Sequence, residues 1–173
     1  PFAKKLQEMG AEIFSTGGTK KALLEAGIEV KSVSEITGFP EILNGRVKTL
    51  HPKIHGGILA KRSNKEHLEE MKKQDITFID MVVCNLYPFE KTIKNEGIEL
   101  DTALEMIDIG GPTMIRAAAK NFKDVIVVSN PERYAEITQL FEKNNEISLD
   151  TRQKLAAEAF QHTAYYDTII AQY

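Results

Sequence analysis

Phe78-Ile79-Asp80-Met81-Val82-Val83-Cys84 is the most apolar run in the chain, short and rich in β-branched residues. Such a run reads as a strand buried on both faces. A strand of that kind needs helices above and below it, which restricts the chain to layered α/β architectures. The rest of the sequence alternates accordingly. Expected helices cover residues 2–9, 20–26, 65–73, 101–107, 113–120, 133–143 and 149–170. Expected strands cover residues 12–15, 28–33, 78–84 and 124–129, with a further short strand at 57–60. Gly10 and Gly27 close helices, and residues 34–44 read as a turn-rich passage. Strands alternating with helices predict a three-layer, doubly wound, mainly parallel sheet with helices on both faces. The 173 residues match one domain. The first helix opens without a cap or a preceding strand, from which we expect the first strand of the fold to precede Pro1.

The net charge of −3 argues against a nucleic-acid polymer as ligand, so any cationic site is local. The lone cysteine, Cys84, excludes an internal disulfide and suits a reducing cytoplasm. It lies inside the apolar run and reads as a small core residue. No run of 18 apolar residues and no signal peptide is seen, so neither a membrane span nor export is expected.

The chemistry-bearing residues gather at expected strand ends. Ser15-Thr16-Gly17-Gly18-Thr19 joins a strand to a helix, with Thr19 the expected N-cap. Free backbone N–H groups and the helix dipole make that turn a candidate anion site. Arg46-Val47-Lys48-Thr49-Leu50-His51-Pro52-Lys53-Ile54-His55-Gly56-Gly57 holds Arg46, Lys48, His51 and Lys53 within eight residues, before a paired-glycine break. That pattern suggests a backbone held close to something anionic. Asn85 and Tyr87 follow the buried strand at its carboxyl end, where open α/β sheets collect ligands. Asp108 stands beside Gly110-Gly111-Pro112, ahead of Arg116 and Lys120 at i,i+4; a helix cap with two solvated cations is the plain reading of that group. His51 and His55 have a spacing that zinc ligands on a helix use, but Pro52 between them opposes a helix there, so no metal is expected. Phosphate cradle, cations, carboxylate and phenol together suit metal-free acid–base chemistry on a phosphorylated small molecule.

The turn at residues 15–19 resembles the phosphate loop of the methylglyoxal-synthase-like fold. Arg46-Val47-Lys48-Thr49-Leu50-His51-Pro52, Asn85-Leu86-Tyr87-Pro88-Phe89, Ile107-Asp108-Ile109-Gly110-Gly111-Pro112 and Arg116-Ala117-Ala118-Ala119-Lys120-Asn121 are sharper. In this order they resemble the IMP cyclohydrolase domain of the bifunctional AICAR transformylase/IMP cyclohydrolase family, from Phe2 to Tyr173. The resemblance implies a domain over residues 1–173 without the family's first strand, whose loop also reaches phosphate, and without the transformylase domain. It implies closure of 5-formamidoimidazole-4-carboxamide ribotide (FAICAR) to inosine monophosphate (IMP) with loss of water, at the end of purine biosynthesis. By motif match, Lys48 and Lys120 would stabilise the oxyanion and deliver a proton to the leaving water. Asp108 would take or orient the carboxamide proton, and Tyr87 would donate to the developing alkoxide. Asn85, Leu86, Asp108, Ile109, Gly110 and Gly111 would hold the base. Ser15, Thr16, Gly17, Gly18, Thr19, Arg46 and Thr49 would hold phosphate and ribose. No cofactor is implied for this step, while 10-formyltetrahydrofolate serves the transformylase domain; the family is dimeric. The alternatives within the fold are methylglyoxal synthase and a regulatory nucleotide-binding domain.

Overall fold

The computed structural model describes residues 1–94 and 97–173. Its centre is a parallel pair, β3 (Met81–Val83) and β4 (Ile126–Val128), with Met81 opposite Ile126 and Val83 opposite Val128. The ladder runs on at both ends: Ile126 N–H donates to the Asp80 carbonyl (2.9 Å) and Cys84 N–H to the Val128 carbonyl (3.1 Å). A second parallel pair joins β1 (Phe14–Ser15) to β2 (Lys31–Ser32). The parallel sense and the α/β class agree with the sequence pattern, but the described strands form two separate pairs.

The burial of β3 departs from expectation. β4 is buried at every position, whereas Val83 of β3 is 41% exposed. Among the described residues β3 has a paired strand only on its β4 side, so its apolar run is half covered.

In chain order the helices are α1 (Phe2–Glu8), α2 (Gly17–Glu25), α3 (Val33–Thr37), α4 (Pro52–Leu59) and α5 (Lys65–Lys73). Then come α6 (Phe89–Ile93), α7 (Leu100–Glu105), α8 (Gly110–Lys120), α9 (Tyr134–Asn144) and α10 (Leu149–Gln172). α8 and α10 pack on each other and on β4, while α4 packs on α8. Ala117, Ala118 and Ala119 keep α8 slim enough for it and its own Ile115 to share one core with Val127, Leu155 and Ala159.

Four local expectations are corrected. Residues 57–60 do not form a strand; Gly57, Ile58 and Leu59 end α4. Pro52 starts that helix instead of opposing it, because a first-turn residue needs no N–H partner. Nor do Gly56 and Gly57 break the chain: a Cβ on Gly57 would lie 2.5 Å from the Thr77 carbonyl oxygen, so its glycine permits close packing. The passage at 34–44 also contains most of α3, opened by a Ser32–Glu35 capping box.

α4 and α8 run side by side in the same direction. At one end Thr49 meets Gly110, and at the other the buried Asn121 amide donates to the Ile58 (2.8 Å) and Ala60 (3.1 Å) carbonyls. Asn121→Ala leaves two buried acceptors unpaired and is expected to cost about 2–3 kcal/mol. Urea unfolding should show this as a lower midpoint with an unchanged slope.

Candidate active site

Asp108 links α7 to α8, and its placement follows from the need to cap α8. Its Oδ1 accepts the Gly111 N–H at 2.8 Å, covering one of the helix's free donors. Gly111 is glycine for space: a Cβ there would collide with the Asp108 carboxylate and approach Leu86 Cδ2 to 3.0 Å. The half-buried carboxyl is pushed above the ordinary carboxylate range by burial, opposed by the Gly111 N–H and by the charge of Lys48.

Lys48 comes from the loop before α4 and keeps only 26% of its side chain exposed. Its ammonium lies 3.4 Å from where a Cβ on Gly17 would stand, so it sits over the turn that opens α2. Gly17 adopts φ +56° there, a left-handed conformation that glycine takes freely. Thr16, not Thr19, is the N-cap residue of α2, and its hydroxyl donates to Glu41 Oε1 (2.6 Å) instead of capping the helix. Glu41 also pairs with Lys48 at 3.8 Å. Gly17, Gly18 and Thr19 form the first turn of α2 and are exposed beside Ser15, as an anion-binding helix end requires.

The neighbouring groups divide into those gathered here and those turned elsewhere. The buried Thr49 lies against Gly110, where a Cβ would stand 2.6 Å from its hydroxyl oxygen. Leu86 reaches Gly111, Ile109 is exposed close by in the chain, and Tyr87, next after Leu86, is 50% exposed. Arg46 is held by Glu105, with Nη2 at 2.7 Å and Nε at 3.3 Å from the two carboxylate oxygens. The Asn85 amide donates to the Tyr134 hydroxyl (3.1 Å) and faces a cavity of about 350 Å³ shared with Ser129, Asn130 and His162.

Lys120 is not brought to this group. α8 is continuous from Gly110, so Lys120 lies ten residues on, about 15 Å along the axis at 1.5 Å per residue. It is exposed at the end of the helix that carries Asn121, remote from Asp108 and Thr49. The motif joined Lys120 to Asp108 along the sequence, and the straight helix separates them in space.

The histidines stay structural. His51 is the N-cap of α4, its Nδ1 accepting the Lys53 N–H at 3.1 Å, and His55 follows one turn later within the helix. Among the described residues no group of three or more His, Cys, Asp or Glu could hold a metal ion. Burial, with the charge of Asp108 adding to it, pushes the Cys84 thiol up to about 12, so it stays protonated and unreactive.

Glu41, Glu105 and Tyr166 escaped the sequence reading. The two glutamates stand singly among apolar neighbours, outside any motif, and Tyr166 falls on the apolar stripe of α10, where nothing in the spacing reports its hydroxyl.

Residues 1–113 match the model of the MGS-like domain, and residues 118–173 match that of the AICARFT/IMPCHase bienzyme. The chain belongs to the MGS-like domain family. This MGS-like chain is 56% identical over 172 residues to the Bifunctional purine biosynthesis protein PurH of Acetivibrio thermocellus. It is 59% identical over 172 residues to that of Caldicellulosiruptor bescii. Each match covers 99% of the chain and 34% of the relative, so the MGS-like chain spans about a third of those relatives' length. A solved structure described as the crystal structure of ForH matches with a TM-score of 0.87 and 36% identity, covering 99% of this chain and 88% of that one.

Proposed function

We propose that this chain is the cyclohydrolase part of a longer bifunctional enzyme and closes FAICAR to IMP. The observation that carries the reading is a half-buried Asp108 within the field of Lys48, beside the open N-terminus of α2. The names of the PurH relatives, which place those proteins in purine biosynthesis, support it.

The phosphate lies on residues 15–19, with Arg46 and Thr49 toward the ribose. Leu86, Ile109, Gly110 and Gly111 flank the base, and Asn85 turns from Tyr134 to reach it. The carboxamide nitrogen attacks the formyl carbon, one N–C bond forms, and negative charge moves to the formyl oxygen. Asp108 takes the carboxamide proton, and its raised pKa makes it a stronger base than an exposed aspartate. Lys48 neutralises the oxyanion, with Tyr87 as a further donor to it. The leaving water carries the formyl oxygen, one proton from the carboxamide nitrogen and one from the formamide nitrogen. The step balances without oxidant, reductant or cofactor. Since an amide nitrogen is a poor nucleophile, positioning is expected to supply roughly 7–11 kcal/mol of the barrier lowering.

In this reading 10-formyltetrahydrofolate serves the transformylase domain of the longer chain, which works as a cytoplasmic homodimer. Among the described residues no helix is long and apolar enough to cross a membrane.

Incubating the full-length protein with FAICAR and following IMP absorbance tests the proposal. Continuous IMP formation is expected. Methylglyoxal from dihydroxyacetone phosphate without IMP would transfer the chain to the synthase reading, and purine monophosphate binding without turnover would make it a regulatory domain.

A further inference from the structure

Tyr166 lies near the end of the long helix α10, 58 residues after Asp108, and is 7% exposed. Its hydroxyl accepts the Asp108 backbone N–H at 2.8 Å and donates to the Met106 carbonyl at 3.3 Å. One oxygen thus bridges the end of α7 and the approach to α8. The ring is set by Phe89, 1% exposed, whose centroid lies 6.4 Å away in an edge-on arrangement. The segment it holds has little grip of its own, since Ile109 is 57% exposed and Met106 and Ile107 are only partly covered. The Asp108 carboxylate is fixed on its far side by the Gly111 N–H.

We propose that Tyr166 is a positioning residue for the cyclohydrolase reaction: its hydroxyl pins the backbone at Asp108 and so aims the carboxylate at the substrate. The assignment rests on the functional reading above. A hydroxyl in that place satisfies two backbone groups that would otherwise be poorly served in a half-buried linker. It also joins the two matched segments, since Tyr166 lies in residues 118–173 and Asp108 in residues 1–113. Among the described residues, Lys48 from the loop before α4, Cys84 after β3 and Tyr166 from α10 are the titratable groups whose fields couple to Asp108, while Tyr87 and Asp167 act on Tyr166.

Tyr166→Phe removes one oxygen and keeps the ring. In the full-length enzyme kcat is expected to fall about 10- to 100-fold, the scale of a 1 Å misplacement, with KM for FAICAR within about twofold. The loosened linker hydrates Asp108, so the acid limb of the kcat–pH profile moves to lower pH. Phe89→Leu disturbs the same packing but leaves the hydroxyl, and should lower thermal stability with the acid limb in place. An unmoved acid limb in Tyr166→Phe, or an equal shift in Phe89→Leu, overturns the proposal. Backbone amide exchange at Asp108 separates this from a failure of the functional reading. A wild-type protein that makes no IMP removes the reaction, yet faster exchange in Tyr166→Phe still shows the pin and unchanged exchange removes it.

Discussion

Asp108→Asn is expected to reduce FAICAR closure by about 10²- to 10⁴-fold, the range for loss of a positioned general base, while leaving the protein folded. The amide is isosteric and its oxygen still accepts the Gly111 N–H that caps α8. Stability at neutral pH should stay level or rise. Burial raises the folded-state pKa of Asp108 above its unfolded value, so the folded state binds more protons between the two. The wild-type protein therefore gains stability from this group as pH falls through the folded pKa, and bears the cost of the ionised form above it. Asparagine removes that cost together with its pH dependence. Because the group is only partly withdrawn from water the gain is small, and parallel urea titrations of the two proteins at neutral and acidic pH should show their midpoints converging on acidification. A collapse of stability at neutral pH would mean that the carboxylate charge, not the acceptor, holds the start of α8.

Lys48→Ala should separate chemistry from binding. Lys48 sits over the turn at Gly17 and beside Glu41, and in the proposed reaction its ammonium would supply positive charge where the formyl oxygen becomes anionic. Turnover is expected to fall about 10²- to 10³-fold, as when one oxyanion donor is lost. The affinity for a purine monophosphate should weaken much less, because the N–H groups that open α2 and the Arg46 guanidinium remain. Single-turnover closure and equilibrium titration on one preparation measure both quantities. Near-normal turnover would remove Lys48 from the chemistry; equal losses in both would make it a phosphate ligand.

Legibility in the sequence followed the range of the interaction. The β-branched runs now seen as β3 and β4 are local signals, and their place in the chain agrees with expectation, whereas α2 starts earlier than its turn residues suggest, with Gly17, Gly18 and Thr19 already inside the helix. Pro52 was ambiguous because proline both breaks helices and begins them; only the His51 cap shows which occurs here. The reason for Gly57 lies in Thr77, twenty residues away, so a close approach was mistaken for a break. Lys120 and Asp108 share a motif, but α8 places them at opposite ends. Glu41 and Tyr166 touch the site through the fold alone, and only their contacts identify them.

The central claim is that Lys48 and Asp108 act on one reacting centre, and the double variant tests it most directly. Single-turnover IMP formation is measured for Lys48→Ala, Asp108→Asn and the two combined. Groups that act as a unit on one transition state lose their value together. The combined loss is therefore expected to stay within about tenfold of the larger single loss. A combined loss equal to the product of the two would show independent action and contradict the account.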